Sequence, residues 1–151
     1  MLGIPYSFPL DMWSVGCVLY ELYCGSILFQ GRDNNDMLFW MMQVKGPFPL
    51  KMLKKASLAS AHFDSEYVFE RRRTDEVTGR VLKRKEKVTR PTRNIFEELR
   101  SSGGKLQDSE LKDLRRLSDL IEKCLVLDPS ARIKPSEALK HPFFQDAESL
   151  P

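Results

Sequence analysis

Asp11 to Tyr23 is the stretch that most limits the fold: Met12, Trp13, Val15, Cys17, Val18, Leu19, Tyr20, Leu22 and Tyr23 leave a helix there with almost no polar face. A helix that is apolar all round must be buried on all sides, in a protein core or in a bilayer. The bilayer requires about 18 consecutive apolar residues. No run approaches that length, and the longest, Met37 to Met42, suits a core helix. The sequence therefore predicts an enclosed central helix and no membrane association, with Asp11 as N-cap and Gly25 near the C-terminal cap.

Enclosing such a helix needs a sizeable core. A chain of 151 residues, 42% of them hydrophobic, can build one domain that buries about 68 to 70% of its unfolded surface without disulfides or metals. Cys17, Cys24 and Cys124 are odd in number and form no C-x-x-C pair. On one helix Cys17 and Cys24 would stand about 10 Å apart, beyond disulfide reach, so all three read as reduced core thiols. No Lys or Arg precedes Arg32, which leaves no charged n-region of a signal peptide and no Arg-rich transit peptide. A cytoplasmic or nuclear location is expected.

Beyond the first helix, Asn34 or Asn35 starts an amphipathic one with Met37, Trp40, Met41 and Val44 at the i, i+3, i+4, i+7 spacing, ended by Gly46-Pro47. Pro49 to Lys55 predicts a short basic helix, and Ser57 to Asp64 a connecting loop. Pro91-Thr92 opens a helix running to Arg100, and Ser101 to Gly104 forms a linker. From Asp108 the set Leu111, Leu114, Leu117, Ile121, Cys124 and Leu125 repeats at helical spacing until Asp128-Pro129 breaks it. Pro135 begins a last helix over Ser136 to Lys140, which His141-Pro142 closes. The Met37, Trp40, Met41 stripe reads as core with some contact surface, and His141 as a helix-end residue.

Glu66 to Arg72 and Arg80 to Val88, separated by Thr74 to Gly79, predict a long charged hairpin. Glu70 to Arg93 holds ten basic and four acidic residues, a charge of +6, against +3 for the whole chain, so the basicity is local. A solvated face is the first reading of this segment. A docking surface made of Arg71, Arg72, Arg73, Lys83 and Arg84 is the second. Nucleic-acid binding ranks below both, because Tyr67 and Phe69 have no aromatic counterpart on the second strand.

No glycine-rich phosphate loop, H-E-x-x-H zinc pattern or G-x-S-x-G elbow occurs, and His62 and His141 are the only histidines. Two stretches carry a specific pattern: Asp11-Met12-Trp13-Ser14-Val15-Gly16-Cys17-Val18-Leu19-Tyr20-Glu21-Leu22, and Leu127-Asp128-Pro129-Ser130-Ala131-Arg132 followed by Ala138-Leu139-Lys140-His141-Pro142-Phe143-Phe144. Together they resemble the later part of a eukaryotic serine/threonine protein kinase. Leu28 to Asn35, Lys51 to Lys55, His62-Phe63-Asp64 and Pro91-Thr92 resemble the pre-mRNA-processing kinases of the CMGC group.

The resemblance implies a mainly α fold, a partial kinase C-terminal lobe over residues 1–144 with a hairpin insert at about 66–88 and a tail at 145–151. It implies Asp11 as the central-helix aspartate that holds the catalytic loop, Arg132 as the partner of an Ala-Pro-Glu glutamate, and Trp13 and Gly16 as packing positions. Lys134 stands where the family usually has a Ser or Thr cap, a loss of about 1 kcal/mol. Kinase catalysis needs a Gly-rich loop, a strand lysine, a His-Arg-Asp loop and Asp-Phe-Gly. The sequence contains none of these, nor Ala-Pro-Glu, so the chain is expected to begin after the activation segment, at Met1 to Tyr6. No residue is assigned a catalytic, cofactor or metal role; ATP and magnesium are implied for the full-length family member, with protein substrates or splicing-related proteins as partners. A non-catalytic interaction module that keeps the lobe's docking surface is the alternative. Marginal stability is expected, with apolar surface of the central helix left uncovered.

Overall fold

A computed structural model describes residues 1–4 and 9–145; the tail beyond Gln145 and the stretch 5–8 lie outside it. The chain divides into two compact units, Met1–Pro5 with Phe29–Thr92, and Tyr6–Leu28 with Arg93–Pro151. Seven α-helices and one two-stranded sheet are formed by the described residues. None of these helices is long and apolar enough to cross a membrane.

The helical unit is built on α1 (Pro9–Cys24) and α5 (Asp108–Cys124). Alpha-1 begins two residues before the expected cap, so Asp11 lies exposed in its first turn, where a carboxylate favours the positive end of the helix dipole. The burial expected on all sides does not hold. Only Met12, Gly16 and Tyr20, a row at i, i+4, i+8, are buried, whereas Val15, Val18 and Leu22 are exposed, Leu22 to 78%. The row that is buried meets α5: Met12 joins Leu120, Cys124 and Ala138 in one cluster, with Leu19, Ile133 and Phe143 packed against it.

Alpha-5 matches its periodicity, with Leu114, Leu117, Leu120, Ile121 and Cys124 inward. Its start is fixed by Gln107, whose backbone N–H donates to Glu110 at 2.7 Å. Helix α4 (Ile95–Ser102) starts later than Pro91-Thr92 suggested, because the Asn94 side chain accepts from the Glu97 N–H at 3.1 Å and caps it there. It also takes in Ser101 and Ser102, which had read as linker. After α5, α6 (Pro135–Ala138) is shorter than expected, and α7 (Pro142–Gln145) follows where His141-Pro142 had read as a stop. A proline at a helix's first position is as compatible with a start as with an end. Lys134 offers α6 no side-chain cap, yet Glu137 still accepts its backbone N–H at 3.1 Å, so half of a capping box remains.

The other unit contains α2 (Asn34–Lys45), α3 (Leu50–Leu53), β1 (Phe69–Thr74) and β2 (Val81–Glu86). Asp33 caps α2 by accepting from Asp36 N–H at 2.8 Å, and Gly46 ends it at φ 76°, a left-handed conformation that glycine adopts without strain. The face of α2 that is buried carries Asn35, Leu38, Met41, Met42 and Val44, so Met37 and Trp40 of the expected stripe are only half-buried. Ser57 to Asp64 is more than connecting loop: it includes a 3-10 turn at Ala59–Ala61 and sends His62 and Phe63 into the interior. Phe63 meets Phe69 and Phe48 edge to face at centroid distances of 5.3 and 6.2 Å. The hairpin is antiparallel with Arg71 opposite Arg84 and Arg72 opposite Lys83.

Candidate functional site

Arg132 is 9% exposed and reaches the main chain at three points. Its Nε donates to Val126 O at 3.0 Å, Nη1 to Pro9 O at 2.6 Å and Nη2 to Leu127 O at 3.5 Å, while the guanidinium lies 5.1 Å from the Trp13 ring centroid. Burial holds its pKa below the ordinary arginine value. The position that the resemblance gives to a glutamate-binding arginine is here a clamp that joins the start of α1 to the turn after α5. Trp13 supplies one face of it. Gly16 lies alongside, where a Cβ would fall 2.9 Å from Cys124 Cβ and 3.0 Å from the Leu125 side chain, so the helices meet at a distance only glycine allows. Desolvation in this contact raises the Cys17 thiol to about 11, which keeps it protonated and inert at neutral pH.

A second polar centre in the helical unit was not foreseen. Arg93 grips Glu98 with two bonds of 2.8 and 2.7 Å, Tyr20 O–H donates to the same carboxylate at 2.7 Å, and Arg93 Nη1 holds Leu28 O at 2.8 Å. Burial works against the Glu98 charge, but Arg93 and Tyr20 outweigh it and hold its pKa below the usual carboxylate range. His141 is likewise more than a helix end: it is buried, its Nδ1 accepts from Phe143 N–H, and its Nε2 lies 2.8 Å from Asp119, which also takes Lys123 at 2.6 Å.

In the hairpin unit the five candidate docking residues separate. Arg71 is drawn inward over the Phe39 ring at 3.5 Å, with Asp36 at 3.7 Å and Glu86 at 3.6 Å. Arg72 turns to the Ala61 carbonyl. These two anchor the hairpin and are not available to a partner, whereas Arg73, Lys83 and Arg84 are exposed. Like charges placed opposite each other oppose strand pairing, and the surrounding carboxylates offset that: Lys83 lies 3.8 Å from Glu70 and Lys85 2.6 Å from Asp64. Asp64 also accepts the N–H groups of Glu66 and Val68 at 2.9 Å each, and Lys85 together with these bonds lowers its pKa.

The residue that organises this unit is Asn35, which sequence reasoning treated only as a helix start. Its Oδ1 accepts from Arg72 N–H at 2.8 Å and its Nδ2 donates to Glu70 O at 3.0 Å, so one side-chain amide occupies the edge of β1 as a strand peptide would. The same Nδ2 lies 3.2 Å from His62 Nδ1, which must be unprotonated to accept from it. Burial, with Arg72 nearby, lowers the His62 pKa and keeps that nitrogen free. The second of two Asn residues after an Asp cap gives no sign in sequence that it is 3% exposed.

The family model for the protein kinase domain matches residues 2–144. The chain belongs to the protein kinase family. It is 46% identical over 144 residues to the serine/threonine-protein kinase prp4 of Schizosaccharomyces pombe, covering 95% of this chain and 30% of that protein. It is 42% identical over 145 residues to the serine/threonine-protein kinase prpf4B of Dictyostelium discoideum, covering 96% and 18%. The dual specificity protein kinase CLK2 of Mus musculus is 34% identical over 146 residues, covering 95% and 26%. The chain thus spans less than a third of the length of these kinase relatives.

Kinase chemistry draws on ATP and magnesium, and the residues present do not fit that pair. Among the described residues no three His, Cys, Asp or Glu side chains are grouped to hold a cation, and no glycine-rich loop exists to cradle phosphates. No phosphoryl-transfer step is assigned to a side chain of this chain. Asp11, exposed on α1, makes no contact that would identify it as holding a loop among the described residues.

Proposed function

We propose that these residues are the scaffold of a serine/threonine protein kinase's C-terminal lobe, from a kinase that phosphorylates splicing-related proteins in the nucleus, and that the 151-residue chain transfers no phosphate by itself. The observation carrying this reading is a kinase match over residues 2–144 in a sequence that holds no phosphate loop, catalytic loop or Asp-Phe-Gly. Similarity to the prp4 and prpf4B serine/threonine-protein kinases supports the kinase class, and the splicing-related substrates and nuclear location are what the resemblance to the pre-mRNA-processing kinases implies. ATP and magnesium belong to residues outside this sequence. The Arg132 clamp and the Gly16 contact suit a supporting role, since they fix helices against each other and present no reactive group to solvent.

The test is incubation of the purified chain with radiolabelled ATP, magnesium and a serine-containing protein substrate. No transfer above a heat-killed control is expected; transfer that follows the chain through size-exclusion chromatography overturns the reading. A second reading, a non-catalytic module that binds partner proteins, is favoured by the exposure of Arg73, Lys83 and Arg84. Partner recovery that is unchanged when these three are replaced by glutamate removes that surface from consideration.

A further inference from the structure

The hairpin continues beyond β2 into a groove of about 440 Å³, lined by Arg84, Lys87, Val88, Thr89, Arg90 and Gln43 among others. Its charge is one-sided. Lys85 in its wall is bound to Asp64 at 2.6 Å, and Glu86, its one carboxylate, is turned to Arg71 at 3.6 Å. Arg84, Lys87 and Arg90 are exposed and have no ion-pair partner among the described residues, so three cations face one open groove.

The backbone adds a direction. Glu70 and Arg72 send their polar groups to Asn35, away from β2, and in an antiparallel ladder their opposite numbers Lys85 and Lys83 also point outward, on the far edge of β2. No strand covers that edge among the described residues. An extended segment laid along it would pair with the main chain of Lys83 and Lys85 and place its side chains among Arg84, Lys87 and Arg90.

We infer that this groove is a docking site for an extended acidic protein segment whose carboxylates or phosphoseryl groups meet Arg84, Lys87 and Arg90. Arginine's planar fork matches either anion with two parallel hydrogen bonds, and Lys87 adds a point charge. Single-stranded RNA is the other polyanion of this shape. It is disfavoured because no aromatic side chain lines the groove to stack a base. The inference rests on the partner-binding reading above and names its surface and partner class.

The experiment measures fluorescence anisotropy of the full chain with three labelled probes: a serine-rich peptide with Glu and Asp at alternate positions, the same peptide with its serines phosphorylated, and an oligouridine of similar length. Both peptides are expected to bind, the phosphorylated one more tightly, with affinity falling about tenfold or more in the triple variant Arg84→Glu, Lys87→Glu, Arg90→Glu and on raising salt from about 50 to about 300 mM. The control variant Lys51→Glu, Lys54→Glu, Lys55→Glu carries an equal reversal on exposed lysines outside the groove and is expected to retain peptide binding within about twofold. Far-UV dichroism checks that each variant is folded. Equal binding by the folded triple variant, or tighter binding of oligouridine than of either peptide, overturns the groove assignment. If the control variant alone loses binding, the groove assignment falls and the partner-binding reading survives at another face; if no peptide binds the parent chain, both fall.

Discussion

Arg132 and Arg71 both lose most of their water, and they are held in opposite ways. Arg132 in the helical unit is bound to three main-chain carbonyls beside a contact so close that Gly16 has no room for a methyl group. Arg71 in the hairpin unit lies on the Phe39 ring between two carboxylates at 3.6 and 3.7 Å, and its Nε has no hydrogen-bond partner among the described residues. The first arginine fixes backbone in place, and nothing else could fill its role. The second balances charge between two half-buried carboxylates while it rests on an aromatic face.

The sharpest challenge to this contrast is Gly16→Val. Overpacking against Cys124 and Leu125 is expected to cost about 3 kcal/mol, read as a lower urea midpoint or loss of cooperative unfolding. A cost under about 1 kcal/mol would mean that the two helices can part without penalty. Arg132→Met is next, with about 2 to 3 kcal/mol expected because the Pro9, Val126 and Leu127 carbonyls, half-buried or buried, lose their donor; Arg71→Met, which keeps an apolar chain over Phe39 but leaves Asp36 and Glu86 without their shared cation, is expected to cost about 1 kcal/mol. Equal losses for the two would erase the distinction.

Within the hairpin unit, Asn35→Ala leaves Glu70 O and Arg72 N–H unsatisfied and is expected to cost about 2 kcal/mol, with β1 amides exchanging faster with deuterium. The smallest effect is a pH dependence at His62. The unfolded chain takes up this proton near 6.5 and the folded chain only at lower pH, so between the two values the unfolded state binds more protons. The contribution is complete above 6.5 and is lost as pH falls through the folded value. The fall in denaturation midpoint from about pH 7.5 to about 5.5 is expected to be shallower in His62→Gln.

Much of the fold was legible because it is written in local chemistry. The 3.6-residue spacing of Leu114, Leu117, Ile121 and Cys124 defined α5, and the turn residues at Thr74 to Gly79 placed the hairpin. The burial of α1 was misjudged for a physical reason: apolar composition reports what a helix could cover, whereas exposure depends on what packs against it, and here only the Met12, Gly16, Tyr20 row is covered. The hairpin's charge could be counted in sequence, but which arginines were free could not, since Arg71 and Arg72 are withdrawn by Phe39, Asp36 and Ala61 from distant positions in the chain. Asn35, Glu98 and His141 were missed for the same cause. Each owes its importance to partners brought near only by tertiary packing.

One consequence follows from the amide that stands in for a peptide on β1. By occupying that margin between Glu70 and Arg72 it makes the two-stranded ribbon one-sided, because a third strand, from a partner or from an aggregating copy, finds the longer open run of main chain on β2 among the described residues. Growth of the sheet is thereby directed past a row of cations, which repel a basic or a second identical ribbon and admit an anionic one.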